Sequence, residues 1–433
     1  MPADHARISR LLHQMNPWWT SGAVPPSLTR VPRPDPVDRV IDAMGLGRVA
    51  LVTGVRRAGK TTVLHQVADR LIGEGEEPGR VLLAMMDHPV LSEEGALGEV
   101  LDVFRSEFGH SRDTRVHLLL DEVHRVPDWG SWVKAIHDVH RLPVAVSGSS
   151  AVEVMAGSMT SLTGRYDPVR VQPLTLDEFM AFRGIKVDAG DAHLMPAVTD
   201  DYLRIGGFPE VVLTEEASRR GAYLVNLFED VLLRDVVDNY AVRDVQTLKH
   251  AARLLFSSVG NAVSYNGMSK VLGCSVDTAK DYVSHMVDCH LVRPVPYHSR
   301  SAKVRARNPP KFYPVDAGML EAVRGGASTG SLAETAVFNH LAGRGQGAVS
   351  GVHFWKHKRE VDFVVPGTRR QVVEVKYRDQ VGEEDLPGVK MFLEKEGKAA
   401  VMVVTRSMDG EIEVAGTKAR AVPLWRLLLD RSS

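Results

Sequence analysis

Four short apolar runs recur in the first part of the chain: "RVALVTG" at 48–54, "RVLLAMMD" at 80–87, "VHLLLDEV" at 116–123 and "LPVAVSGSS" at 142–150. Each is almost continuously hydrophobic and ends on small or polar residues, the pattern of a strand buried on both faces. Longer stretches of helical period separate them, such as "TTVLHQVADRLIG" at 61–73. Strands alternating with helices predict a parallel sheet covered on both sides. Beyond "DEFMAFRG" (177–184) the period becomes purely helical, in "GAYLVNLFEDVLLRDVVDNY" (221–240) and "DVQTLKHAARLLFSSVGN" (244–261). After the Gly/Ser-rich "RGGASTG" (324–330), a helix at "SLAETAVFNHLAG" mixes with strands at "EVDFVV", "QVVEVKY" and "AAVMVVT". These changes of texture divide the chain into four parts. Residues 1–36 are an N-terminal segment whose proline-rich "TSGAVPPSLTRVPRPDP" reads as a linker rather than a packed element. An α/β domain spans 37–183, a helical domain 184–325 and an α+β domain 326–433.

A chain of 433 residues exceeds what one hydrophobic core usually serves, consistent with several domains. With 44% hydrophobic and 25% charged residues the composition is that of an ordinary globular protein. Lys+Arg 53 against Asp+Glu 54 leaves a net charge of −1, so any polyanion site must be a local patch. Cys274 and Cys289 are the only cysteines and fit no ligand or disulfide pattern; both read as small buried apolar residues. No secretory leader is recognisable and no apolar stretch approaches the ~18 residues that span a bilayer, so the cytoplasm is the expected location, with no membrane partner.

The first run leads directly into "GVRRAGKTT", which satisfies G-x-x-x-x-G-K-[ST] through Gly54, Gly59, Lys60 and Thr61. Such a loop turns its backbone N–H groups onto phosphate oxygens while the following helix adds the positive end of its dipole. Gly54, Val55, Arg56, Arg57, Ala58, Gly59, Lys60, Thr61 and Thr62 are therefore the expected contacts to ATP. Lys60 would reach the β- and γ-phosphates and the Thr61 hydroxyl would join the Mg²⁺ shell. A carboxylate at a neighbouring strand end must complete that shell, and "LLLDEV" supplies Asp121 for the metal and Glu122 to activate the attacking water. The polar strand end "VAVSGSS" offers Ser149 or Ser147 as a γ-phosphate sensor. Arg165 or Arg170 in "SLTGRYDPVRVQPLTLDEF" is the candidate arginine finger, acting across a subunit boundary if the chain assembles with itself.

The ordered series "MNPWW", "GVRRAGKTT", "LLLDEVHRVPDW", "VSGSSA", "SLTGRYDPVRVQPLTLDEF", "YLRIGGFPEVV" and "KFYPVDAGM" resembles the prokaryotic AAA+ ATPases fused to a conserved C-terminal region of unknown function. The resemblance covers nearly the whole chain. It implies an AAA+ P-loop sheet domain, then a winged-helix region, then a domain similar to restriction endonucleases.

Within the middle domain, "YNGMSKVLGCSVDTAKDYVSHMVDCHLVRPV" (265–295) has the cadence of a helix-turn-helix. Val283, Met286 and Val287 of its second helix can face the core, leaving Thr278, Lys280 and Asp281 for base edges. "PYHSRSAKVRARNPPKFY" (296–313) reads as a β-hairpin wing. From 264 to 313 eight Lys/Arg (Lys270, Lys280, Arg293, Arg300, Lys303, Arg305, Arg307, Lys311) face three Asp (Asp277, Asp281, Asp288), a local excess of +5 that predicts a phosphate-binding edge for duplex DNA. Packing of the same helices on another domain or a protein partner is the alternative.

In the last domain "REVDFVVPGTRRQVVEVKYRD" puts Glu374 and Lys376 on one face of a strand, with Asp362 on the strand before. The arrangement resembles the PD-(D/E)xK nucleases, with Glu334 as a further ligand. Asp362, Glu374 and Glu334 would hold Mg²⁺ and Lys376 would stabilise an attacked phosphate. Alternatively, Asp362 and Lys376 form an inert ion pair in a fold kept for docking. Two functions follow as expectations: an ATP-hydrolysing, DNA-associated enzyme, or a nucleotide-gated switch for protein partners with an inert nuclease fold.

Overall fold

Alternation along the first sheet decides where the core lies. The computed structural model describes residues 2–148, 162–344, 351–367 and 370–430, which fall into two compact units, Met1–Val171 and Gln172–Ser433. In the first, strands β1 (Val49–Thr53), β2 (Val81–Met85), β3 (His117–Asp121), β4 (Val144–Gly148) and β5 (Tyr166–Arg170) form an all-parallel sheet ordered β2-β3-β4-β1-β5. Val49, Leu51, Leu82, Ala84, Leu118, Leu120, Val144 and Val146 point to one face, where helices Pro2–Met15, Ala96–Phe108 and Trp129–His140 bury Leu12, Phe104 and Val133 against them. Helix Lys60–Gly73 packs on β2, β3 and β4 through Val63, Val67 and their neighbours.

Two sequence expectations need correction here. Strand β5 escaped the apolar-run criterion because it is the polar "YDPVR", an edge strand in which Pro168 costs no ladder bond on its open side. The proline-rich stretch read as a linker is packed: Pro26–Thr29 is a helical turn, and Gln66 Nε2 donates to the carbonyls of Thr29 (2.6 Å) and Val31 (2.9 Å). The residues before it also close the sheet. Asn16, fully buried at the edge strand β2, accepts from Leu83 N at 2.6 Å and donates to Leu83 O at 2.8 Å. Both Trp18 and Trp19 donate their indole N–H to Val81 O. A side-chain amide thus stands in for the missing sixth strand.

In the second unit, helices Val245–Ser257, Tyr265–Leu272 and Val276–Asp288 pack together, the last turning at Gly273 and capped by Ser275, whose hydroxyl accepts from Thr278 N at 3.0 Å. Strands β6 (Val292–Val295) and β7 (Lys311–Pro314) pair antiparallel after them. The excursion joining them is not a simple hairpin, because it carries a short helix, Ala302–Arg307, with Ser301 as its cap. Helix Thr329–Arg344 then leads to a six-stranded mixed sheet ordered β12-β13-β11-β10-β9-β8: β8 His353–Lys356, β9 Glu360–Val365, β10 Gln371–Lys376, β11 Ala400–Thr405, β12 Gly410–Val414 and β13 Thr417–Pro423. The strands β10, β11 and β13 run parallel and the outer pairings are antiparallel. Among the described residues no helix is long and apolar enough to cross a membrane.

Candidate functional site

Three adjacent strand ends deliver the residues that the phosphate-loop pattern singled out. β1 runs into Gly54, whose φ of 153° and whose missing side chain are both required, since a Cβ there would lie 2.1 Å from Val171 O. The loop closes at Gly59 (φ 98°), and helix Lys60–Gly73 starts with its N–H groups open toward the loop. Lys60 is buried and its ammonium donates to the carbonyls of Gly54 (3.0 Å) and Val55 (3.4 Å), folding back over the cradle. Thr61 Oγ1 donates to Asp121 Oδ2 at 2.6 Å, from the end of β3. Ser147, on β4, donates to the other oxygen of Asp121 and accepts from Glu122 N at 3.1 Å. Burial, and secondarily the neighbouring Glu122, push the Asp121 carboxyl above its ordinary value, against the opposing pull of Ser147, Thr61 and Lys60. The oxygens of Thr61 and Asp121 converge as a hard divalent cation requires, and the amide cradle beside Lys60 suits a triphosphate, so both groups fit these residues.

Glu122 adopts the left-handed conformation (φ 51°), which turns its side chain off the strand end, 3.5 Å from His124 Nδ1. Burial holds the His124 imidazole down to about 4, so it is neutral at physiological pH. Sequence reasoning passed over His124, although its position two residues after Glu122 was the available signal. It also passed over Arg33, a buried side chain whose Nη1 donates to Ala58 O of the loop at 2.8 Å while its backbone N donates to Gln66 Oε1 at 3.0 Å.

The serine and arginine candidates separate clearly. Ser147 belongs to the site through Asp121, whereas Ser149 lies outside the described residues. Arg165 precedes β5, with Val49 N bonded to its carbonyl, so it stands at the start of the parallel strands, the opposite sheet edge from the loop. There it pairs with Asp138 at 2.8 Å and holds that carboxyl down to about 2. Five residues of strand, about 17 Å, separate it from the loop end. Within its own chain Arg165 is therefore a surface ion pair and no catalytic group. Arg170, paired in register with Thr53, stands at the loop end of the sheet.

In the second unit Glu334, Asp362, Glu374 and Lys376 come together, and two unforeseen residues join them. Lys311, fully buried on β7, lies 2.5 Å from Glu360 and 3.6 Å from Glu334, and the Tyr313 hydroxyl donates to Glu334 at 2.5 Å. The β9–β10 ladder ends at the Phe363–Val373 pair. Past that point the strands tie themselves through side chains: Val375 N donates to Asp362 Oδ2 (2.8 Å) and Asp362 N to Glu374 Oε2 (3.3 Å). Lys376 donates to Glu374 Oε1 at 2.7 Å, so the nearest lysine partner of these acids is on Glu374 and not on Asp362. Burial first, and Asp362 second, push Glu334 up to about 7 and Glu374 up to about 8. Among the described residues no three His, Cys, Asp or Glu side chains form a group able to hold a metal ion. With lysines and backbone N–H groups on their oxygens, Asp362, Glu374 and Glu334 do not fit Mg²⁺ as arranged.

The predicted basic edge loses two members. Lys311 is buried among carboxylates, and Arg293, also buried, donates to Gln172 Oε1 at 2.9 Å. Of the residues in helix Val276–Asp288 and just after it, Lys280 and Asp281 are exposed and Thr278 is half-buried, while Val283 and Met286 are buried and Cys289 lies in the core.

Strand order, loop and buried acid define a P-loop nucleoside-triphosphatase unit. Residues 47–180 match the AAA domain family, residues 197–329 match a domain of unknown function (DUF8612), and residues 329–427 match a second domain of unknown function (DUF4143). The chain is thus an AAA-type ATPase domain fused to C-terminal domains of unknown function. An uncharacterized protein of Methanocaldococcus jannaschii is 24% identical over 345 residues, spanning 76% of this chain and 75% of that protein. One from Haemophilus influenzae is 24% identical over 323 residues, spanning 73% and 79%. Among solved structures, the Walker-type ATPase of Pyrococcus abyssi aligns over 68% of this chain and 96% of its own, with TM-score 0.44 and 12% identity. AMPPCP-bound DnaA from Aquifex aeolicus aligns over 58% and 86%, with TM-score 0.30 and 13% identity.

Proposed function

We propose that the first unit binds ATP with Mg²⁺ and hydrolyses it, and that the second unit associates with duplex DNA in a manner set by nucleotide state. The observation that carries the first part is the convergence of Thr61, Asp121 and Ser147 beside the buried Lys60. Thr61 and Asp121 would hold the cation, which when bound neutralises charge on the β- and γ-phosphate oxygens. Lys60 exchanges its two loop carbonyls for phosphate oxygens, and the Glu122 carboxylate orients water and accepts its proton. Helices Tyr265–Leu272 and Val276–Asp288, followed by β6 and β7, support reading the middle region as a winged helix for DNA. For nucleotide to govern DNA, its ATP and ADP forms must bind two arrangements of the chain with different affinity. A cytoplasmic location and self-assembly belong to the same reading.

Calorimetric titration of ATP with Mg²⁺ into the full chain tests it, with Lys60→Ala as the comparison. Heat from the wild type and none from the variant is the expected result; no heat from the wild type ends the proposal. A second reading, a nucleotide-gated switch whose nuclease-like domain is inert, draws support from Lys376 on Glu374 at 2.7 Å and Lys311 at 3.6 Å from Glu334. Salt-dependent duplex affinity separates the two: a steep loss of binding between low and moderate salt favours DNA association, and a flat response favours the switch.

A further inference from the structure

The outer side of β8, last strand of the second sheet, is partly covered. Segment 296–298 runs beside it: Tyr297 bridges Phe354 in parallel, Phe354 N donates to Pro296 O at 3.0 Å, and His298 N donates to Phe354 O at 2.6 Å. The Tyr297 hydroxyl donates to Lys356 O at 3.0 Å. Parallel pairing sends both chains out at the same end of the strands. What emerges from each is basic, "SRSAKVRAR" from one and "KHKR" from the other, two stretches some fifty positions apart in the sequence. Arg300, Lys303, Arg307, Lys358 and Arg359 are exposed and Arg305 is half-buried. Among the described residues none of these six has an ion-pair partner, whereas Lys280 of the helix-turn-helix is held by Asp277 at 3.1 Å with Asp281 exposed beside it. Lys303 and Arg307, four apart, share one face of helix Ala302–Arg307. The excess positive charge of this region therefore sits on the excursion between β6 and β7 and on the β8–β9 turn, away from the helix that the sequence marks for base reading.

We infer that the arm 300–307 and the turn 356–359 form a single surface for the phosphate backbone of duplex nucleic acid, built jointly by the middle and C-terminal domains. The inference rests on the DNA-association reading and relocates its contacts. The neighbouring aromatic side chains Phe354 and Trp355 are buried and the Tyr297 hydroxyl is tied to Lys356 O, which favours backbone contact over stacking of single-stranded bases. Val304 is the one large apolar side chain exposed on the arm, too little to enter a lipid interface. A surface that contacts phosphates without the recognition helix binds with little sequence preference and strong salt dependence.

Anisotropy titrations of the full chain against a fluorescein-labelled duplex of about 30 base pairs, from about 50 to 200 mM KCl, test this. Lys303→Gln with Arg307→Gln, and separately Lys358→Gln with Arg359→Gln, are each expected to lower the slope of log K against log salt by nearly 2, about 0.9 per lost contact. Melting temperatures should stay unchanged, because the substituted side chains are exposed, and Lys270→Gln with Lys280→Gln should leave the slope intact. If the Lys270/Lys280 variant lowers the slope while the arm and turn variants bind as wild type, DNA association stands and this surface is refuted. If wild-type protein does not bind the duplex at low salt, the DNA-association reading itself fails. Binding by the same cations to phosphatidylserine vesicles or polyglutamate in that case overturns the inference in favour of a lipid or acidic protein partner.

Discussion

Gly54 carries a demand that no other residue type meets. Its φ of 153° and the 2.1 Å between a built Cβ and Val171 O mean that Gly54→Ala must move the loop away from β5. The backbone conformation alone costs about 1–3 kcal/mol. The variant is expected to lose stability in urea and to weaken ATP binding together, and a variant that binds ATP normally would show the loop to be tolerant here. Glu122 is a different case, because its carboxylate has no role in the strand ladder. Glu122→Gln is expected to keep ATP bound while turnover falls by roughly 10²-fold or more, read by phosphate release beside a binding titration. Turnover undiminished by that change would move the water-activating role to another group. In the second unit, Gly206 (φ 81°) lies under Asp316, whose carboxylate accepts from Gly207 N and Met319 N. The motifs "YLRIGGFPEVV" and "KFYPVDAGM", a hundred residues apart, are thus two halves of one contact.

At the scale of elements, the edge strand β2 depends on a side chain. Asn16→Ala leaves the N–H and C=O of Leu83 unpaired in a buried position, at about 1–3 kcal/mol for each group. The expected outcome is a lowered urea midpoint and faster amide exchange along β2, and an unchanged midpoint would mean that water replaces the amide. The helices and buried strands of both units follow from apolar periodicity, because burial on both faces leaves a continuous hydrophobic run. β5, β8, β12 and β13 do not, since each sits at or near an edge and mixes charge with apolar residues. The segment 296–313 reads in the sequence as a β-hairpin wing, and the helix Ala302–Arg307 within it departs from that reading. Its short helix and its pairing on β8 depend on a sheet formed by residues still to come.

For the whole molecule, pH acts through the buried acids of the second unit. Unfolding returns Glu334 and Glu374 from about 7 and about 8 to ordinary glutamate values, so the folded state binds more protons between those limits. Their contribution is complete at acidic pH and is lost as pH rises through the folded values. Melting temperature is therefore expected to fall between pH 6 and pH 8.5, and Glu374→Gln should narrow that difference. A melting temperature that rises over this interval would mean the acids are ionised throughout. ATP acts in the opposite sense on the first unit: at a free concentration of 100 Kd, binding stabilises it by about 2.7 kcal/mol.

What the sequence determined alone was local or periodic: the phosphate loop, the acidic strand end, the alternation of strand and helix, and the two helices on either side of Gly273. Each depends on residues a few positions apart, whose spacing sets geometry directly. Charge environment was decided only in three dimensions. Arg165 lies at the end of the sheet away from its own chain's loop, Lys311 and Arg293 left the basic edge for the interior, and Lys311 became the counter-ion of acids that come later in the chain. Whether an ionisable group meets water, an opposite charge or a backbone N–H depends on chain segments tens to hundreds of positions away, and no local pattern encodes that distance.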